Sequence, residues 1–334
     1  MDGRAINRVL IIGGRGALGR LTATAFREAG WEVRSGARRA GTGGASTGQD
    51  DVELDLDRPA SLPAALREGE FVVNTVPHRE LLAERLILER GGTLINLAAL
   101  PASAARGLRA EAGGARGTVL MNAGLAPGVT TIVAADLLGR HPDAEEIEMV
   151  FTVSAAAPGG PARVEWLSRG LTALARHRTA RVPLAEPFGE RLCLGFGEDD
   201  AGWLGGIAEG RRVRSYLCVL EPPAHERLLT LNGAGELTRP AKSLIRARRD
   251  GETKSNGEPV AHWIAATRGD RRLGARTVRC AGDLVHAARS GVVFAEALRA
   301  QPPGGGCFGP EEVCTLDGVR ARLAGAGISI VPVT

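Results

Sequence analysis

Val9-Leu10-Ile11-Ile12-Gly13-Gly14-Arg15-Gly16-Ala17-Leu18-Gly19 stands close to the start of the chain, and Trp31-Glu32-Val33-Arg34-Ser35-Gly36-Ala37-Arg38-Arg39 follows it. An apolar strand, a glycine turn, a helix over 20–30 and a second strand over 31–36 make a βαβ unit. Such a turn presents backbone N–H groups, at a helix N-terminus, to a pyrophosphate. In this reading Gly14 permits the tight turn, Gly16 lets the diphosphate approach the backbone, and Gly19 lets helix and strand pack closely. Gly14, Arg15, Gly16, Ala17 and Leu18 are then the cofactor-binding turn.

The end of the second strand bears on which dinucleotide is bound. A site for NAD places Asp or Glu about 20 residues after the glycines, where it accepts the ribose 2′-hydroxyl. Arg38 and Arg39 occupy that region here, and Arg15 lies within the turn. Guanidinium groups suit a 2′-phosphate through charge-assisted, often bidentate hydrogen bonds, so the expected cofactor is NADP(H).

Working outward, 334 residues exceed one minimal dinucleotide-binding unit and predict two domains, and 44% hydrophobic content supplies their cores. The net charge of +4 is mild and its basic residues are scattered among acidic ones, with no basic stripe, which argues against nucleic-acid binding. Five dispersed cysteines, with no CxxC pair and no His/Cys cluster at zinc spacing, predict reduced thiols and no metal site. No apolar run approaches the roughly 20 residues that span a bilayer. With the first strand so near the first residue, the expectation is a cytoplasmic protein without a signal peptide.

Further strands are expected at Val52–Asp57, Phe71–Val76, Gly92–Leu97 and Thr118–Asn122, with helices near 60–68 and 78–90 and a flexible loop at 41–48. Strands alternating with helices predict a parallel sheet covered on both faces. After about residue 125 the rhythm changes. Gly128–Leu138 reads as a helix. Strand-like segments follow at Ile147–Ser154, Arg191–Phe196, Arg212–Leu220, Arg227–Leu231, Ala261–Thr267 and Arg276–Cys280, with helices near 163–177 and 239–248. A long helix from Asp283 and a closing strand, Ile328–Val331, suggest a return to the first domain. The fold class is therefore α/β, a Rossmann-type doubly wound parallel sheet (1–124 and 283–334) with an inserted α+β, antiparallel-sheet substrate domain (125–282).

At the level of motifs the chain resembles the saccharopine dehydrogenase-like NADP-binding enzymes, which include saccharopine reductases and carboxynorspermidine dehydrogenases. The likeness rests on the glycine turn, the Asn74-Thr75-Val76-Pro77-His78 turn, Asn122-Ala123-Gly124-Leu125-Ala126-Pro127-Gly128, Trp166-Leu167-Ser168-Arg169-Gly170 and Phe308-Gly309-Pro310-Glu311-Glu312. The resemblance implies hydride transfer between NADP(H) and a C–N bond, imine or secondary amine, of an amino-acid-derived substrate. It also matches Arg169 to an arginine that holds a substrate carboxylate. The family often carries an aspartate where this chain has Ala126, so the cofactor transfers better than the substrate.

Other candidates follow from position. Ligands of open α/β sheets bind at the carboxyl ends of strands, which puts Asn74, Thr75, Val76 and Pro77 at the end of strand four, and Asn96 and Leu97 at the end of strand five, at the cofactor. Asp55, after strand three, falls near the adenine. His78 reads either as the proton donor or as a solvent-exposed helix-start histidine. Tyr216, the only tyrosine, is a second proton donor or a packed sheet residue. Trp166 walls the cleft or fills a core; Glu165 binds a substrate amine or is a helix surface charge; Asn122 touches substrate or caps the turn between domains. His177, among arginines, reads as a solvated helix end. A homodimer is expected, because an exposed edge of the antiparallel sheet is easily used for pairing. Two other outcomes stay open: a lyase or transferase that keeps its dinucleotide through a closed redox cycle, and a non-catalytic NADP sensor.

Overall fold

The Val9–Ile12 run is a strand with no solvent access on either side, because the sheet around it is covered on both faces. The computed structural model describes residues 7–38, 51–155, 161–197, 204, 207–208, 210–237 and 257–333, with no side chains described for 161–164. The chain divides into two compact units. The first is Met1–Gly124 with Ala287–Val313, and the second is Leu125–His286 with Cys314–Thr334.

In the first unit the elements run β1 (Arg8–Ile12), α1 (Ala17–Glu28), β2 (Glu32–Ala37), β3 (Asp51–Glu53), α2 (Ser61–Ala65), β4 (Phe71–Asn74), α3 (Leu82–Arg90), β5 (Thr93–Asn96), α4 (Ala102–Glu111) and β6 (Thr118–Leu120). Later in the chain come β13 (Gly306–Phe308) and α9 (Pro310–Val313). The sheet order is β13-β6-β5-β4-β1-β2-β3, with every neighbouring pair parallel. Strands two and four flank strand one, the arrangement that opens a crevice at their carboxyl ends. Leu10, Ile12, Val72, Leu94 and Val119 pack with Leu62, Ile87 and Leu108 from the covering helices. Phe26, Trp31 and Phe71 meet edge to face at 5.2 and 5.4 Å. Buried Arg34 donates to Glu70 at 2.8 Å and to the Ala65 carbonyl at 3.0 Å, tying β2 to the entry of β4.

The second unit contains α5 (Val129–Arg140), β7 (Glu146–Val153), α6 (Pro161–Thr172), β8 (Thr179–Pro183), β9 (Glu190–Gly195), β10 (Arg212–Val219), α7 (Pro222–Ala234), β11 (Pro259–Arg268), β12 (Arg271–Ala281), α10 (Leu316–Gly325) and β14 (Ser329–Pro332). Helix α8 (Asp283–Ala300) belongs to both units, the division falling after His286. The sheet order is β14-β12-β11-β7-β10-β9-β8.

Four expectations need correction here. The second sheet is mixed, not antiparallel throughout: β7 and β10 run parallel, because α6 and the β8–β9 hairpin form the crossover between them. Arg227–Leu231 is not a strand but lies within α7, which has Pro at its first turn and ends on Gly235 in the left-handed region (φ 74°). The third strand is three residues long, ending before Leu54. The closing strand does not return to the first sheet: β14 pairs antiparallel with β12, Val331 opposite Thr277, and α10 buries Leu316, Val319 and Leu323. The expected helix at 239–248 and loop at 41–48 lie outside the described residues.

Candidate functional site

The glycine turn is built by close approach. Gly13 sits at φ 79°, and a Cβ there would lie 2.3 Å from Val76 Cγ2. The residue in the left-handed region is thus Gly13, while Gly14, next in the turn, packs against Ser35, where a Cβ would lie 2.7 Å from the serine Cβ. The N–H groups of Gly13 and Gly14 both donate to the Gly36 carbonyl at 3.0 Å, locking the turn onto β2. A Cβ on Gly19 would fall 2.0 Å from the Gly13 carbonyl oxygen, so only glycine lets α1 start this close to β1. No side chain caps α1, whose cap position is Gly16. The first-turn amides at Ala17 and Leu18, with the positive end of the helix dipole, are therefore the groups here that could hold an anion.

At the exit of β2, Arg38 is exposed, and Arg39 lies outside the described residues. Arg15 donates to Asp51 at 2.9 Å, which ties the glycine turn to the first residue of β3. Asp55 is engaged locally: its carboxylate accepts from the Asp57 N–H at 3.2 Å and from Arg58 Nε at 3.3 Å.

Asn74 and Asn96 end adjacent strands in register with each other, as expected, but their side chains turn inward. Both amides donate to one carboxylate oxygen of Glu84 on α3, at 2.8 and 2.5 Å, and all three side chains are buried. Nothing in the sequence flagged Glu84; the signal available was an acidic residue in an otherwise apolar helix face. Thr75 donates its hydroxyl to the Ile12 carbonyl at 2.7 Å, and the Val76 N–H donates to Asn74 Oδ1 at 2.9 Å. Pro77 is exposed. His78 is half-buried, with Nε2 3.8 Å from Asp57 Oδ1 and with Nδ1 enclosed and unpartnered among the described residues. Leu97 is buried, its N–H donating to the Asn74 carbonyl at 2.8 Å. Asn122, at φ 53°, accepts the Leu100 N–H at 2.7 Å and is buried, which makes it a turn-closing residue.

The second unit holds the remaining candidates. Tyr216 is 2% exposed in a core with Trp263, Cys218 and Phe188. Its hydroxyl donates to Glu148 at 3.5 Å, and the Arg178 guanidinium lies 5.5 Å from the ring centre. Burial, then the Glu148 charge, pushes its pKa up, and burial also raises Glu148. Trp166 packs on Phe196 at 4.7 Å and Phe151 at 6.0 Å, while Glu165 and Arg169 of the same helix are exposed. His177 is not solvated. It is buried, with Nε2 at 3.0 Å from the Leu171 carbonyl and its backbone bracketed by the Asn232 side chain, and burial lowers its pKa. His262, unremarked in the sequence, is buried on β11. Its Nδ1 accepts the Thr152 N–H at 3.1 Å, so the proton sits on Nε2, which has no partner among the described residues. All five cysteines are outside disulfides. Among the described residues no His/Cys/Asp/Glu group is placed to hold a metal ion, and no helix is long and apolar enough to cross a membrane.

No protein-family model matches the chain, and neither does any curated protein sequence. Solved structures do. Apo saccharopine dehydrogenase (L-Glu forming) from Saccharomyces cerevisiae aligns over 98% of this chain and 100% of its own, with TM-score 0.61 and 12% identity. Dihydrodipicolinate reductase from Paenisporosarcina sp. TG-14 aligns over 92% and 100% (TM-score 0.44, 11% identity), and a myo-inositol dehydrogenase from Corynebacterium glutamicum over 98% and 99% (TM-score 0.44, 13% identity). The chain has the fold of saccharopine dehydrogenase.

Proposed function

We propose that this protein is an NADP(H)-dependent oxidoreductase that transfers hydride to or from a C–N bond of an amino-acid-derived substrate. The observation that carries the reading is the uncapped N-terminus of α1, brought against β1 by Gly13 and Gly19 as a diphosphate cradle requires. Arg38, exposed where a NAD site would carry a carboxylate, supports the 2′-phosphate. A bound nicotinamide dinucleotide supplies or accepts the hydride, and an imine is electrophilic enough to need chiefly positioning and exclusion of water.

The chain's own residues divide the remaining work. Backbone amides at Ala17 and Leu18 hold the diphosphate, and Arg38 holds the 2′-phosphate. Arg169, with its guanidinium in solvent, is the carboxylate-binding group, as the resemblance implies. His78 is the proton carrier at the carboxyl end of β4, with Asp57 beside it. Tyr216 is set aside for that role, because its hydroxyl is enclosed against Glu148. The working form is a homodimer in the cytoplasm, using an edge of the second sheet, and light scattering should return twice the chain mass.

The test is consumption of NADPH, with NADH as control, across amino acids paired with aldehydes and 2-oxo acids. Turnover with one pair establishes the reading and identifies the substrate class. A second reading, a dinucleotide sensor, is favoured by Ala126 where relatives carry aspartate. Binding of NADPH with silence across the panel would support it.

A further inference from the structure

Glu84 is a buried carboxylate that the proposed chemistry does not use. It is 0% exposed on α3, one oxygen accepts the Asn74 and Asn96 amides, and the other oxygen has no partner among the described residues. The Asn96 side-chain oxygen, Oδ1, is also buried and has no partner among the described residues. Burying such groups is costly, and an apolar side chain at this place would avoid the cost.

What the carboxylate holds lies next to the glycine turn. Asn74, oriented by Glu84, uses its own Oδ1 to accept the Val76 N–H at 2.9 Å. That bond bends the chain immediately after β4 and sets Val76 beside Gly13, where Val76 Cγ2 and Thr75 Oγ1 are the nearest atoms to a Cβ built on that glycine. Thr75 simultaneously grips the Ile12 carbonyl, the last residue before the turn. A continuous path of hydrogen bonds and one packing contact therefore runs from Glu84 through Asn74 and Val76 to Gly13.

We propose that Glu84 is a positioning residue for dinucleotide binding: it fixes Asn74, which latches the Thr75–Val76 turn against the glycine turn. This rests on the dinucleotide-binding reading above. Glu84 acts through Asn74 and touches no cofactor or substrate.

The test uses the full chain with Glu84→Leu, Glu84→Gln and Asn74→Ala. The control, on the same helix as Glu84, is Arg85→Gln, which breaks an exposed pair with Glu111 of α4 and a bond to the Glu80 carbonyl. Two readouts are taken: hydrogen exchange of the Val76 N–H, which needs no ligand, and the NADPH dissociation constant by fluorescence. Leaving the Asn74 amide without its acceptor should speed Val76 exchange and weaken NADPH binding by about tenfold in Glu84→Leu, and by a similar factor in Asn74→Ala. Glu84→Gln keeps an acceptor oxygen and should stay within about threefold of the parent, as should the control. If Glu84→Leu and Asn74→Ala fold with Val76 exchange and NADPH affinity unchanged, or if Glu84→Gln loses as much as Glu84→Leu, the latch is overturned. If Glu84→Leu does not fold, Asn74→Ala decides. A parent protein that binds neither NADPH nor NADH refutes the cofactor reading, while the exchange of Val76 still judges the latch.

Discussion

A methyl group at Gly19 would lie 2.0 Å from the Gly13 carbonyl oxygen, a backbone atom that cannot rotate away. Gly19→Ala must therefore push α1 off β1. The expected cost is about 1–3 kcal/mol of stability, read as a lower melting temperature, together with loss of NADPH binding, because the cradle opens. Arg38 makes the opposite kind of prediction, since it is exposed and its removal leaves the fold intact. Arg38→Ala should weaken NADPH binding by at least about tenfold while leaving NADH nearly unchanged, as expected for loss of one charge-assisted contact to a phosphate. Fluorescence titrations with the two cofactors check it, and equal losses would remove the 2′-phosphate assignment. At this scale the glycine turn and the close approach at Gly19 could be read from residue type and spacing, although the left-handed residue is Gly13 and not the expected Gly14. The inward turn of Asn74 and Asn96 could not, since it depends on Glu84 arriving from a different element.

Among the elements, β11 carries His262 at 2% exposure, and burial lowers its pKa from an ordinary 6.5 to about 4. Between those two values the unfolded chain binds a proton that the folded chain refuses. Stability is therefore full above about pH 6.5 and falls as the pH drops toward 4, by about 3 kcal/mol from this group. His177 and His225, both lowered by burial, act in the same direction. Replacing His262 with Phe should make the acid-side fall in urea-unfolding free energy shallower. At neutral pH it should cost about 1–3 kcal/mol, because the Thr152 N–H loses its acceptor. Strands β1, β4, β5 and β6 were legible because each lies in a short, largely apolar run bounded by turns or helices. Strand β13, Gly306–Phe308, was not expected, because three residues carry too little pattern. Helix α7 was misread because Arg227–Leu231, taken by itself, is apolar and turn-bounded; Pro222 and Pro223 before it and Gly235 after it were the better signals. Strand β14 was recognised as a strand, but its sheet is chosen by pairing with β12, which local pattern does not encode.

For the whole molecule, the last segment is structural in the second unit. Deleting Leu316–Thr334 removes α10 and uncovers the Arg276–Arg279 edge of β12. The expected result is aggregation and rapid proteolysis of the second unit, followed by limited digestion and mass spectrometry. Both units are also discontinuous: the chain changes unit after Gly124, after His286 and after Val313. During synthesis this has a direct consequence. The ribosome delivers β1 to β6 early, yet their sheet waits for Gly306–Phe308 to supply its outermost strand beside β6. The second sheet waits longer still, for Ser329–Pro332. Neither sheet can close on its early strands alone: the first needs β13 and the second needs β14, each made long after its neighbour, β6 or β12, has emerged.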